Sequence, residues 1–265
     1  MFVESIEYLL TPTSPLARKY GFLYSSISLR HRYERCKKKW IPHLKNCQDV
    51  FLEAAKDLPQ RNSVVVLGSA HLHEIPIHLL LQNFEKITLV DVVHPLKHHW
   101  LAKKNPRVTL VTQDLTSALK HLEKLHSLSD LHALANDLAG EQLFKFKADL
   151  IVSGNLLSQL ALLPISAIEK VMKRELTTEE KDAICSDFAQ THLRNLNGCE
   201  GKKLIYADRE VIYKDPEGKE IYRGHYDVNF NNYKEMRKWT WEIAPLGEAS
   251  KKYSIDMNVE AYIKD

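Results

Sequence analysis

The residues that could do chemistry sit at the ends of apolar runs. The first run closes in Leu67-Gly68-Ser69-Ala70-His71-Leu72-His73-Glu74-Ile75-Pro76. Gly68 permits a tight turn, Ser69 and Ala70 are small enough to let a ligand reach the backbone, and Pro76 suits the first turn of a helix. Free N–H groups at such a helix start favour an anion such as a carboxylate. Asp91 ends the next run, 23 residues after Gly68, where a carboxylate can accept both hydroxyls of a ribose. Asp114, in Thr112-Gln113-Asp114-Leu115, can accept an exocyclic amine of adenine or cap a helix starting near Thr116. The fourth run ends in Ser153-Gly154-Asn155-Leu156-Leu157-Ser158-Gln159-Leu160. There Asn155 is the candidate to orient a substrate, or a helix N-cap, and Gln159 follows one helical turn later.

Other constellations narrow the chemistry. A dinucleotide fingerprint needs glycines at positions 68, 70 and 73, and only Gly68 is present, which disfavours a pyrophosphate cradle and a nicotinamide-dependent oxidoreductase. A Walker loop is absent. Histidine is abundant, with 13 residues. His71, His73 and His94 could converge above the strands, and His71 or His94 is placed to act as a base toward a nucleophile. Spacing supplies no clear third and fourth ligands, so no metal is expected. His192 lies in the stripe Ile184, Phe188, His192, Leu196, where a packed core histidine is expected.

These positions need a scaffold that brings strand ends together. Ser63–Gly68, Ile87–Asp91, Val108–Val111, Ala148–Ser153 and Lys203–Asp208 are nearly continuous in apolar or β-branched residues, as strands buried on both faces of a parallel sheet are. The intervening segments are long enough for right-handed crossover helices. Trp239–Ile243 and Tyr253–Val259 alternate instead, around a turn with Pro245, Gly247 and Ser250, which predicts an antiparallel hairpin. A short extra strand is expected over Glu210–Tyr213, before the turn Asp215-Pro216-Glu217-Gly218. The expected fold class is α/β: a doubly wound, mostly parallel seven-stranded Rossmann-like sheet with a C-terminal antiparallel hairpin and an N-terminal helical extension. Helices are expected over Pro15–Leu29 and Arg32–Leu58, giving a helical cap over residues 1–61 and a main domain over 62–265.

With these residues in place, the chain resembles the class I S-adenosylmethionine-dependent methyltransferases over roughly residues 62–265. The terminal hairpin distinguishes that family from nicotinamide-binding relatives. The resemblance implies S-adenosylmethionine as cofactor. Gly68, Ser69 and Ala70 then lie beside its methionine moiety, Asp91 on its ribose and Asp114 on its adenine side. It also implies that Asn155, and less directly His94 or His71, face the methyl acceptor. The family's three alternating glycines fall at Gly68, Ala70 and Leu72, and its usual acid before this loop is replaced by Val65-Val66-Leu67. The Asn/Asp-Pro-Pro-aromatic motif of base- and glutamine-methylating relatives is absent, so those substrates are not indicated. Methyl transfer leaves little further signature, because the protein mainly aligns the reacting atoms. A non-catalytic member of the fold, binding a nucleoside or a partner, is the rival reading.

Composition sets the remaining bounds. The chain has 265 residues, 44% hydrophobic and 27% charged, which fits a globular α/β domain and excludes disorder. The net charge of +3 is unevenly placed: residues 1–62 carry 11 basic and 6 acidic side chains. Residues 18–45 hold nine Lys/Arg against Glu34, interleaved with Tyr20, Tyr24, Tyr33 and Trp40. That segment reads as an RNA-binding face or as a solvated helix covering the cleft, and a small-molecule acceptor is placed ahead of RNA. Cys36, Cys47, Cys185 and Cys199 lack CxxC spacing, as reduced thiols in a cytoplasm would. No secretory signal or membrane span is expected.

Overall fold

The computed structural model describes residues 2–265, with side chains from Ile6 onward. Three helices lead the chain: α1 (Phe2–Leu10), α2 (Pro15–Lys19) and α3 (Phe22–Lys56). Strands and helices then alternate: β1 (Ser63–Leu67), α4 (Ile77–Asn83), β2 (Lys86–Asp91), α5 (Leu96–Lys104), β3 (Val108–Thr112), α6 (Leu128–Ala139), β4 (Lys147–Gly154), α7 (Leu162–Met172), α8 (Thr178–Asn197) and β5 (Glu200–Lys214). The chain ends in β6 (Glu220–His225), β7 (Lys234–Ala244) and β8 (Ser254–Lys264).

The main sheet runs β3-β2-β1-β4-β5-β8-β7. Its first five strands are parallel, and β8 lies antiparallel between β5 and β7. This is the doubly wound, Rossmann-like, seven-stranded plan with its terminal antiparallel hairpin. The order turns back on itself between β1 and β4. A crevice at the carboxyl ends of strands flanking such a switch is where open α/β sheets bind ligands.

Two details differ from expectation. Glu210–Tyr213 is not a separate strand but the distal half of β5, which a turn at Asp215–Gly218 joins to an eighth strand, β6. A bulge between Asp208 and Glu210 interrupts the pairing with β8. The inserted residue changes which faces the following side chains take, so one long strand reads as two. The second difference is in the helices. The break falls at Gly21 (φ +85°) rather than near Arg30, and α3 runs unbroken for 35 residues, through Pro42. A left-handed glycine ends a helix geometrically. Arg30 and His31 lie half-buried within α3, where Arg30 pairs with Glu7.

Both faces of the sheet are covered. Val65, Leu67, Val90 and Ile151 pack under α6, α7 and α8 together with Ala17, Leu23 and Ile27. Val64, Val66, Leu89 and Val152 pack on the other face with Leu80 of α4 and with Trp40, Cys47, Val50 and Phe51 of α3. Thus α3 starts on one face of the sheet and ends on the other. It makes that passage over the carboxyl ends of the strands.

Candidate functional site

The turn after β1 is built on unusual backbone. Gly68, Ala70 and Leu72 have φ of +69°, +36° and +56°, so three alternating residues occupy left-handed conformations although only one is glycine. At Gly68 a Cβ would lie 2.9 Å from Leu156 Cδ1, which ties this residue to the loop after β4. Left-handed alanine and leucine are disfavoured by contact between Cβ and the following carbonyl. They persist where the surroundings over-determine them, and such strain gathers at functional sites. Leu72 turns its side chain into the core.

Asp91 locks this turn. Its Oδ2 accepts the Ala70 N–H at 2.7 Å, and its Oδ1 accepts Val92 N–H at 2.7 Å and Val93 N–H at 3.3 Å. Burial pushes its carboxyl pKa up, opposed by these N–H groups and by His94. Ser69 Oγ is buried beside it without a partner. His94 is 1% exposed; burial lowers its pKa, while Asp91 and then the Val111 backbone raise it.

No helix starts near Thr116; Asp114 instead braces the turn leading into the short helical turn Leu119–Lys124, whose N-cap is Ala118. Its Oδ1 accepts Thr116 N–H and Oγ–H at 2.9 and 2.6 Å, and its Oδ2 accepts Leu119 N–H at 2.8 Å. The strand end itself still adjoins Asp91, since Gln113 N–H donates to the Asp91 carbonyl at 3.0 Å.

The loop after β4 carries Asn155, left-handed at φ +45° and 2% exposed. It does not cap the short helical turn Leu157–Gln159, whose N-cap is Leu156. Its amide instead meets His43 Nε2 of α3 at 3.3 Å, while Gln159 Nε2 donates to its carbonyl at 2.8 Å. His94 turns to His99, with ring centroids 6.1 Å apart.

His43 is a site residue that sequence reasoning missed. It lies within the buried stripe Trp40, Leu44, Cys47 and was masked by the apolar residues around it. Trp239 Nε1–H donates to His43 Nδ1 at 3.0 Å, and Trp241 stacks on the imidazole at 3.9 Å and 10°. An indole can only donate, so Nδ1 is the acceptor and the imidazole proton sits on Nε2. One end of the Asn155 amide lies against Nε2, and its other end is buried without a partner.

Asp208, at the bulge of β5, and Glu74, in the loop after β1, complete this side. Asp208 Oδ2 accepts Ser158 Oγ–H at 2.7 Å, while Oδ1 is buried without a partner. Burial raises its carboxyl to about 6. Glu74 Oε1 stands 4.0 Å from His43 Nε2.

The other histidines are held structurally. His71 Nε2 donates to the Ser26 carbonyl of α3 at 2.9 Å, and burial lowers its pKa to about 3. His73 stacks on Tyr33 at 3.8 Å. His192 is a core residue, as its stripe predicts, with Nε2 3.0 Å from Ser153 Oγ. Among the described residues, no group of three or more His, Cys, Asp or Glu side chains could hold a metal ion.

Most of the basic segment is engaged within the chain. Arg18 donates to the Tyr8 and Thr11 carbonyls, Lys19 pairs with Glu123 and Arg30 with Glu7. Arg32 and Arg35 pair with Glu248, and Lys39 with Glu242. Trp40 is buried and donates its indole N–H to the Ile243 carbonyl. Tyr24 remains 68% exposed.

No family model matches the chain, and no curated protein matches it. Several solved structures are similar in shape. One is the 1,6-didemethyltoxoflavin-N1-methyltransferase of Burkholderia thailandensis, bound to 1,6-didemethyltoxoflavin and S-adenosylhomocysteine: 14% identity, 89% of this chain and 90% of that one, TM-score 0.36. Another is the YcgJ protein of Bacillus subtilis, at 8% identity, 83% and 98% coverage and TM-score 0.39. A third is the glycopeptide N-methyltransferase MtfA with S-adenosylmethionine, at 10% identity, 80% and 92% coverage and TM-score 0.33. Likeness at these identities and TM-scores carries no residue role or substrate over to this chain.

Proposed function

We propose that this chain is an S-adenosylmethionine-dependent methyltransferase of the class I fold, acting on a small-molecule acceptor. The observation that carries the reading is the turn at Gly68, Ala70 and Leu72. Its left-handed course is retained without the glycines that would make it easy, and it is fastened to Asp91 beside the switch between β1 and β4. The residues present fit the cofactor. Ser69 Oγ is a buried hydroxyl without a protein partner, and buried polar groups are normally paired.

In this reading Gly68, Ser69 and Ala70 offer backbone to the methionine moiety, Asp91 takes the ribose hydroxyls and Asp114 marks the adenine side. When bound, S-adenosylmethionine supplies an electrophilic methyl group on a sulfonium. Asn155 orients the acceptor with its unpartnered amide end, and His94 borders the same crevice. Residues 1–61 act as a cap, because α3 lies over the strand ends and excludes water. Small molecules are favoured over RNA because the cations expected to meet phosphates are largely engaged internally. No helix among the described residues is long and apolar enough to cross a membrane, and a cytoplasmic location accords with the sequence reading.

A second reading has its own support. Alanine and leucine replace two glycines, and Asp91 already accepts three backbone N–H groups, as a degenerate, non-catalytic binding domain could. Calorimetric titration with S-adenosylmethionine, S-adenosylhomocysteine and NAD separates the readings. Micromolar binding of the first two without NAD is expected. Absence of binding by both overturns the methyltransferase reading.

A further inference from the structure

Ser69 and Asn155 are buried, each with a polar atom that has no partner, so a ligand reaches neither while the chain over the strand ends stays in place. That chain is α3, and it is anchored on both sides of its crossing. Leu23 and Ile27 pack in the core on one face of the sheet. On the other face Trp40 packs edge-on against Trp241, with ring centroids 4.8 Å apart, and donates its indole N–H to the Ile243 carbonyl. Between these anchors one residue, Cys36, is buried, while Leu29 and Tyr33 are half-buried.

What fastens this stretch is chiefly ionic. Arg35 grips Glu248, in the turn between β7 and β8, with two bonds: Nε donates to Oε2 at 2.9 Å and Nη2 to Oε1 at 2.6 Å. Arg32 Nε stands 3.6 Å from the same carboxylate, whose side chain is only 10% exposed. One helical turn beyond Arg35, Lys39 pairs with Glu242 of β7 at 2.9 Å. Arg30 pairs with Glu7 of α1, and Tyr33 lies on His73 of the turn after β1. The helix has a weak point at the end of this stretch, because Pro42 has no N–H for the Lys38 carbonyl. Ion pairs of this exposure are modest and are screened by salt, which a packed core is not. A stretch with few buried side chains, ionic fastenings and a broken ladder opens locally before the fold does.

We infer that residues 28–39 form a strap across the crevice, held shut by the clasp of Arg32 and Arg35 on Glu248, so that release of Glu248 opens the crevice. The hairpin turn thereby controls entry without touching a ligand. Entry of the cofactor by this route rests on the proposed function, but local opening of the strap does not.

Two measurements on the full chain test this. Amide hydrogen exchange read by mass spectrometry reports opening without any ligand, with residues 43–56 of the same helix as reference. Surface plasmon resonance with S-adenosylhomocysteine reports the rate of entry. In the parent chain residues 28–39 should exchange about tenfold or more faster than residues 43–56. Glu248→Gln should raise both the exchange of residues 28–39 and the association rate about fivefold, and leave residues 43–56 unchanged. A merely structural loss would slow association instead. Sodium chloride at about 0.5 M should have the same effect on the parent chain and little on the variant, which keeps the test open if the variant folds poorly. Equal exchange in the two segments, or exchange of residues 28–39 that neither Glu248→Gln nor salt alters, would overturn the inference. Faster exchange with an unchanged association rate would overturn it as well. Faster exchange in a chain that binds no S-adenosylhomocysteine overturns the proposed function and leaves the strap standing.

Discussion

Ala70 gives its backbone N–H to Asp91 Oδ2 at 2.7 Å, so the turn after β1 and the acid ending β2 form one unit. The two residues were candidates for contact with the same ligand, and the structure makes each a condition of the other's position. A loop with unfavourable φ values is held by a carboxylate that also remains beside the crevice. In the proposed reading, cofactor contact and local stability are coupled at this point.

Removing that carboxylate should have two effects. Asp91→Ala leaves three backbone N–H groups without their acceptor, which should cost about 1–3 kcal/mol in urea denaturation. It should also weaken S-adenosylhomocysteine by about tenfold or more in calorimetry, by loss of the ribose contacts. A folded variant with parental stability and affinity would show that Asp91 does neither.

The left-handed turn makes a paired prediction. Ala70→Gly relieves the steric penalty at φ +36° and should stabilise the chain by about 0.5–1 kcal/mol, part of the gain being lost to unfolded-state entropy. Leu72→Gly relieves similar strain but deletes a buried side chain, so it should destabilise by about 2–4 kcal/mol. Thermal melts of the two variants moving in the same direction would contradict this account.

Acid should destabilise the fold through its buried histidines. Burial lowers the pKa of His71, His98 and His192 to about 3 from an ordinary 6.5. Between those values the unfolded chain binds more protons than the folded one, so stability is full above about pH 6.5 and falls as pH drops toward 3. Each histidine contributes at most about 1.4 kcal/mol per pH unit. Urea midpoints measured across that window should fall steadily with acid, and His192→Gln should flatten the slope.

Asp208 should act in the opposite sense. Its folded pKa of about 6 lies above the ordinary 3.8, so the folded state binds more protons between these values and stability is lost as pH rises through them. Asp208→Asn should therefore stabilise the chain by about 2–3 kcal/mol at neutral pH and have little effect below pH about 4. Equal stability of the two proteins at both pH values would mean that the carboxylate is solvated or paired.

Lys37, Lys38 and Lys45 offer the remaining route to RNA. If α3 serves as a cap rather than an RNA face, the chain should show no salt-sensitive association with a mixed RNA pool. Exchanging these lysines for Gln should leave stability within about 0.5 kcal/mol. Steep salt-dependent binding that the exchanges flatten would restore the RNA reading.

The sequence by itself determined the five parallel strands and the final hairpin, but not the full length of β5 or the strand β6. Those follow from local apolar patterning, which the buried sheet reproduces almost residue for residue. It also set Gly68, Asp91 and Asn155 at strand ends, because βα turns follow directly from the pattern of the strands. What it could not decide were contacts between distant segments. His43 looked like one more position on an apolar helix face until α3, crossing the strand ends, set it against Asn155 and Trp239, 112 and 196 residues away. Asp208 and Glu74 were unremarkable acids until burial removed their water. The bulge beside Asp208 hid the length of β5, because one inserted residue breaks the alternation by which a strand is read. Patterning fixes which face of an element is buried; only packing decides which polar groups share that burial, and so which are left needing a ligand.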